Sequence, residues 1–167
     1  MIEKAYDAGI CHPVDRKINS KKYTAYVGAD NYEIGRKAGE YIADRLGGKG
    51  RVIEITGLRG STPAVERHRG MMEALKAAPG VQVVASAEAG WFRQKAGEVM
   101  DTLLDAHPQV NLVFAQNDRM AIGAYEKARQ KNRAGQIAFV GVDAVAAGSG
   151  KCGGRQTGCY LHLSYRR

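Results

Sequence analysis

Helical spacing and short continuous apolar runs alternate along most of this chain. In "NYEIGRKAGEYIADRL" (31–46), Ile34, Ala38, Tyr41 and Ile42 recur at three- and four-residue steps, which predicts a helix buried on one face and ended by Gly47-Gly48. "TPAVERHRGMMEALKAA" (62–78) predicts a second helix, with Thr62 as N-cap, Pro63 at the first helical position and Pro79-Gly80 as the break. "FRQKAGEVMDTLLDAH" (92–107) puts Val99, Leu103 and Leu104 on one face and is stopped by Pro108. "DRMAIGAYEKARQK" (118–131) predicts the fourth helix. The intervening runs, 22–30, 51–57, 81–90, 110–117 and 136–143, are short and rich in β-branched residues, and predict strands.

Predicted strands that are apolar on both faces and alternate with helices specify a parallel sheet covered on both sides. Right-handed crossovers then make a doubly wound α/β structure. Ligands on such sheets bind beyond the C-terminal ends of the strands. That edge collects Asp30, the 57–62 loop, Trp91, Asn117-Asp118 and Asp143. Asp and Asn bond neighbouring hydroxyls, Arg offers a rigid fork of donors, and an indole face lies on the C–H face of a sugar ring. The set is suited to binding a sugar rather than to catalysis.

Composition adjusts this picture in two places. The net charge of +8 invites a nucleic-acid reading. Half of it comes from Lys151, Arg155, Arg166 and Arg167, in a tail without Asp or Glu, which leaves +4 on residues 1–150. Charges there are mixed along the helices, as on a solvated face, and no nucleic-acid partner is expected. The 3 cysteines, Cys11, Cys152 and Cys159, form no CxxC pair, so neither a disulfide framework nor a metal site is expected. "MIEKAYDAGI" lacks the order of a secretory signal, and no run approaches the length of a membrane span.

Catalytic motifs are missing where the pattern would place them. No G-x-G-x-x-G follows the first predicted strand, and there is no G-x-S-x-G elbow. "GSGK" (148–151) lacks both the earlier glycine, replaced by Val145, and the following Ser or Thr, replaced by Cys152, of a phosphate loop. His68 and His107 sit in or at the end of helices, where a lone histidine usually faces solvent or caps.

"VDRKINSKKYTAYVGADNYEIGRKAGEYIA", "EITGLRGSTPAVERHRG", "LDAHPQVNLVFAQNDRMAIGAY" and "FVGVDA" resemble type I periplasmic sugar-binding proteins of the ribose-binding kind. The wording is nearest to the sugar-sensing domains of hybrid two-component systems, over residues 14 to 144. The resemblance implies two doubly wound lobes joined by a hinge that closes on a sugar. This chain would supply a hinge-proximal remnant (1–22) and the second lobe (23–146). It implies that Asp15 and Arg16 bond ring hydroxyls, that Arg67 reaches the sugar from its helix, that Trp91 stacks, and that Asn117 and Asp143 are strand-end polar ligands. The implied partners are a pentose or hexose, the missing first lobe, and a membrane sensor or permease. No cofactor, metal or catalytic residue is implied, the parent is periplasmic, and any kinase lies outside this chain. Two other readings stay open: the effector lobe of a sugar-responsive transcription repressor, which needs a helix-turn-helix ahead of the first lobe, and an enzyme on the same layered fold.

The sequence departs from the family at two places. "AGICHPVDRK" stands where the family has an apolar strand like "AGIPVILVDRK", and after Ala144 the family's "VADGKLDATYIYPTGG" has no counterpart. "CYLHLSYRR" can be coded TGC TAC CTA CAT CTA TCC TAC CGG AGG, which read one base later gives "ATYIYPTG". Residues 11–13 and 147–167, which hold all the cysteines, are therefore expected to be out-of-frame translation, with 147–167 disordered or loosely attached.

Overall fold

The computed structural model describes residues 2–9, 12–18, 20–143 and the backbone of 160–163. A short helix α1 (Ile2–Asp7) precedes α2 (Asn31–Arg45), β1 (Lys49–Thr56), α3 (Thr62–Leu75), β2 (Gly80–Glu88), α4 (Arg93–Ala106), β3 (Leu112–Ala115), α5 (Asp118–Gln130), β4 (Ala138–Val142) and β5 (Tyr160–Leu163). The strands form one sheet in the order β2-β1-β3-β4-β5. Every pairing is parallel, with Val52 opposite Leu112, Leu112 opposite Ala138, and Val140 opposite Leu161. This is the doubly wound α/β arrangement the pattern predicts.

Both faces of the sheet are covered, and for different reasons. Ile53, Ile55, Val113 and Phe139 project toward α4 and α5, where Met100, Leu104 and Met120 meet them. Val52, Leu112, Phe114 and Val140 project toward α2 and α3, against Ile34, Ile42, Met71 and Leu75. On that second side the two helices approach closely. A Cβ on Gly35 of α2 would sit 2.0 Å from the Arg67 carbonyl oxygen of α3, so only glycine permits the contact. That approach brings the first turn of α2 beside Arg67.

Three expectations need correction. The segment 22–30 is not a strand of the sheet; it makes only an isolated parallel bridge between Val14 and Val27. Val14 and Val27 are 69% and 59% exposed, so the β-branched side chains have no core to cover and no ladder to extend. The N-cap of α3 is Ser61, not Thr62, and it makes no side-chain cap bond. The Thr62 hydroxyl instead accepts from the Lys17 backbone N–H at 3.2 Å, which ties the 12–18 segment to the start of α3. The sequence pattern put no strand after residue 143, yet the backbone of Tyr160–Leu163 pairs along β4. The other residues of 144–167, with Cys11, lie outside the described residues, so the expected loose attachment of that tail is not addressed beyond these four.

Candidate functional site

The C-terminal ends of β1, β2, β3 and β4 converge with the first turns of α3 and α5. Arg67 sits at the centre. It is one turn into α3 and only 9% exposed, although it is a charged side chain on an amphipathic helix. Its fork is fully directed: Nε donates to Asn31 Oδ1 at 2.9 Å, and Nη1 donates to the Gln116 carbonyl at the end of β3. Nη2 lies 3.8 Å from Asp143 Oδ1 at the end of β4, and the guanidinium carbon is 5.9 Å from the centre of the Trp91 ring. Burial pulls the Arg67 pKa downward, and the fields of Asp143 and Asp15 oppose that. An arginine so held remains the cation of the site.

Trp91 follows β2 and is the chain's single tryptophan. Its indole lies against the backbone of Gly57, where a Cβ would come within 2.1 Å of the ring. Its Nε1–H is buried and has no hydrogen-bond partner among the described residues. Asn117 is the N-cap of α5: Oδ1 accepts from Met120 N at 2.9 Å, and Nδ2 reaches the Trp91 carbonyl at 3.5 Å. Its neighbour Asp118 is fully buried in the first turn of α5. Asp30 is occupied in the same way, as N-cap of α2 through Oδ1 and Glu33 N.

Backbone conformation marks the same place. Among the described residues four non-glycine residues have positive φ, and three of them are Asp15 (68°), Trp91 (76°) and Asp143 (113°). A bulky or acidic side chain is held in this region only where surrounding structure over-determines it, and such residues cluster at ligand sites. Asp15 is fixed by its own N–H to the Val27 carbonyl (2.8 Å), and its carbonyl accepts from the Tyr26 hydroxyl (3.0 Å).

Of the six residues singled out in the sequence, Arg67, Trp91, Asn117 and Asp143 are brought together. Asp15 acts on Arg67 through its field. Arg16 is exposed, and its backbone N–H donates to the Val14 carbonyl (2.8 Å). Sequence reasoning did not single out Asn31 or Gln116, whose contacts orient the others, and reached Gly57 only as part of the 57–62 loop. An amide at a helix start or a strand end carries no mark in residue type that separates it from an ordinary cap or surface group. Among the described residues no group of three or more His, Cys, Asp or Glu side chains is disposed to hold a metal ion, and no helix is long and apolar enough to cross a membrane.

The arrangement is a strand-end cradle with one aromatic plate, one buried cation and flanking amide and carboxylate groups. Comparison with known proteins gives the same class. The model of the periplasmic binding protein domain matches residues 1–149, and the chain belongs to that family. The ribose import binding protein of Salmonella typhimurium is 38% identical over 135 residues, covering 81% of this chain and 45% of that protein. The D-allose-binding periplasmic protein of Escherichia coli is 34% identical over 122 residues, covering 72% of this chain and 39% of that protein. Among solved structures, the fructose-binding periplasmic domain of a hybrid two-component system superposes with a TM-score of 0.85 at 51% identity, covering 89% of this chain and 50% of that one. A galactofuranose-binding protein superposes at 0.81 with 30% identity, covering 85% and 51%. The chain thus spans about half the length of the relatives it matches.

Proposed function

We propose that this chain carries half of a monosaccharide-binding site, the half belonging to the second lobe of a periplasmic sugar sensor. Arg67 and Asp143 bond ring hydroxyls, Trp91 stacks on the ring, and Asn117 and the hinge-side pair Asp15 and Arg16 complete the polar edge. The observation that carries this reading is the convergence of Arg67, Trp91 and Asp143, two of them in strained backbone, at the C-terminal edge of one sheet. In the parent, a first lobe would supply the opposing wall, and closure would be read by a membrane partner. The 51% identity to a two-component sensor domain, against 38% to a ribose import protein, favours a sensor over a transport protein.

With one wall only, the chain alone binds a pentose or hexose weakly. Titration with D-fructose, D-ribose and D-allose, followed by NMR, is expected to shift the Trp91 indole and Arg67 Nε resonances at sugar concentrations on the order of millimolar. Absence of any shift at these two groups, with all three sugars, would sink the reading. Micromolar binding in calorimetry would contradict the missing-wall argument instead.

The same reading covers the C-terminal segment. In the proposed frame, "ATYIYPTG" replaces "CYLHLSYRR" and restores the family's segment. The gene's nucleotide sequence tests this: a one-base shift should open a longer frame continuing past "YIYPT". A stop codon directly after it would dispose of the idea.

A further inference from the structure

Glu54 lies in the middle of β1 and is fully buried, an unusual place for a carboxylate. A buried carboxylate persists only when its oxygens are bonded. Both are. Oε2 accepts from the Ser86 hydroxyl at 2.9 Å and lies 2.8 Å from His68 Nδ1. Oε1 accepts from Gln116 Nε2 at 2.9 Å. The two oxygens lead in opposite directions. The Oε2 side ends at His68, half-exposed beside a cleft of about 340 Å³ between α3 and the β2 edge. The Oε1 side leads to the strand-end cradle.

Gln116 is also fully buried, and each end of its amide has a defined partner. Nε2 donates to Glu54 Oε1 and, at 3.1 Å, to the Ala64 carbonyl. Oε1 accepts from the Gly57 N–H at 3.0 Å. The carbonyl of the same residue takes Nη1 of Arg67. Gly57 is the residue on which the Trp91 ring lies. One side chain therefore holds the floor under Trp91, while its own backbone holds Arg67. If the amide turned over, its NH₂ would face the Gly57 N–H, donor against donor. Glu54 and the Ala64 carbonyl, both acceptors, set the amide the right way round, with Glu54 the nearer at 2.9 Å.

We infer that Glu54 is a positioning residue for the sugar site: it orients the Gln116 amide, which in turn fixes Gly57 under Trp91 and the carbonyl that directs Arg67. The inference rests on the proposal that Arg67 and Trp91 are the sugar contacts, but its test needs no sugar. That keeps the two ideas separable, because failure of the sugar reading appears only in the titration above.

The readouts are exchange with solvent of the Arg67 Nη1 protons, the ones the Gln116 carbonyl accepts, acrylamide quenching of the single tryptophan, and the melting temperature of the full chain. In Glu54→Met these Nη1 protons are expected to exchange about 10-fold faster, the factor for one ordinary hydrogen bond weakened. Trp91 quenching should rise with it. Glu54→Gln, which keeps an acceptor toward Gln116, should restore both. His68→Ala removes only the Oε2 side and should leave both within about 2-fold of the wild type, below the weight of one hydrogen bond. A Glu54→Met chain that melts lower yet keeps wild-type exchange and quenching would reduce Glu54 to a packing role and overturn the inference. So would His68→Ala acting as strongly as Glu54→Met. Should Glu54→Met fail to fold, the wild-type chain decides. Two separate, slowly exchanging Gln116 amide protons support the inference, and averaged or freely exchanging ones overturn it.

Discussion

The two faces of the sheet use the same strands for different ends. Toward α4 and α5 the inward residues beyond Arg51 at the start of β1 are apolar, as Ile53, Ile55, Val113 and Phe139 show. Toward α2 and α3 they begin in the same way, with Val52, Leu112 and Phe114, and then change to Glu54 and Gln116 as the strands approach their C-terminal ends. Asn31 and Arg67, contributed by the helices, continue the polar part. One face is packing throughout. The other gives up apolar burial where the chain needs directed groups, and each of those groups is bonded because an unbonded one would cost roughly 1–3 kcal/mol. The difference says that the buried support of Arg67 is built on the α2/α3 side of the sheet, while Trp91 packs against the α4/α5 side and Asn117 caps α5.

The comparison breaks most sharply at Phe139. It is fully buried on the apolar face and meets Tyr125 edge-on, with ring centres 5.5 Å apart. Phe139→Ala should cost about 3–5 kcal/mol of stability, read in a denaturant melt. Under native conditions the Arg67 Nε resonance, which belongs to the other face, should stay as in the wild type, whereas Trp91 packs against the same cluster as Phe139 and reports on that face instead. A change in the Arg67 signal, with the fold intact, would mean that the faces are not independent.

Gly57→Ala probes the site itself and should be smaller in stability and larger in the site. The added methyl would come within 2.1 Å of the rigid indole, well inside van der Waals contact, so the ring, carried on a backbone already at positive φ, has to move. A stability loss of about 1–3 kcal/mol is expected, typical of overpacking. Trp91 emission should shift and its acrylamide quenching increase. Unchanged fluorescence would show that the indole does not rest on this backbone.

Legibility in the sequence divides along the same line. All four long helices were readable from Ile34, Ala38 and Ile42 and their equivalents, because a packing face repeats at the helical period. Four of the five strands were readable as apolar runs. The segment 22–30 misled because "YTAYV" has strand composition, and composition does not report whether a sheet lies alongside. In the cradle, strand-end position and resemblance picked out Arg67, Trp91, Asn117 and Asp143. The support beneath them was hidden. Glu54 in "VIEIT" reads as an ordinary charge, and its partners are 14, 32 and 62 residues away. Local pattern carries no information about pairings of that separation, and the positive φ of Trp91 leaves no trace in residue type either.

The smallest effect lies on the outer surface of the packing face, where polar groups are present but not built in. Lys131, just past α5, bonds Asp101 Oδ1 (2.9 Å) and Asp105 Oδ1 (2.6 Å) of α4, with Asp105 exposed and Lys131 and Asp101 half-buried at the surface. The lysine beside it holds the Asp101 carboxyl below its ordinary pKa of 3.8. A carboxylate with a depressed folded pKa contributes stability above its unfolded value and loses it as the pH falls through the folded one. The melting-temperature difference between the wild type and Lys131→Met should therefore be small at neutral pH and in low salt. It should shrink as the pH drops below about 4 and fade at high salt. Arg67 offers the contrast: its hydrogen-bond partners Asn31 and Gln116 are themselves buried, so salt should barely alter the exchange of its Nε–H. If salt released Arg67 as readily as it weakens the Lys131 pair, the cradle would be a surface charge cluster and not a part of the interior.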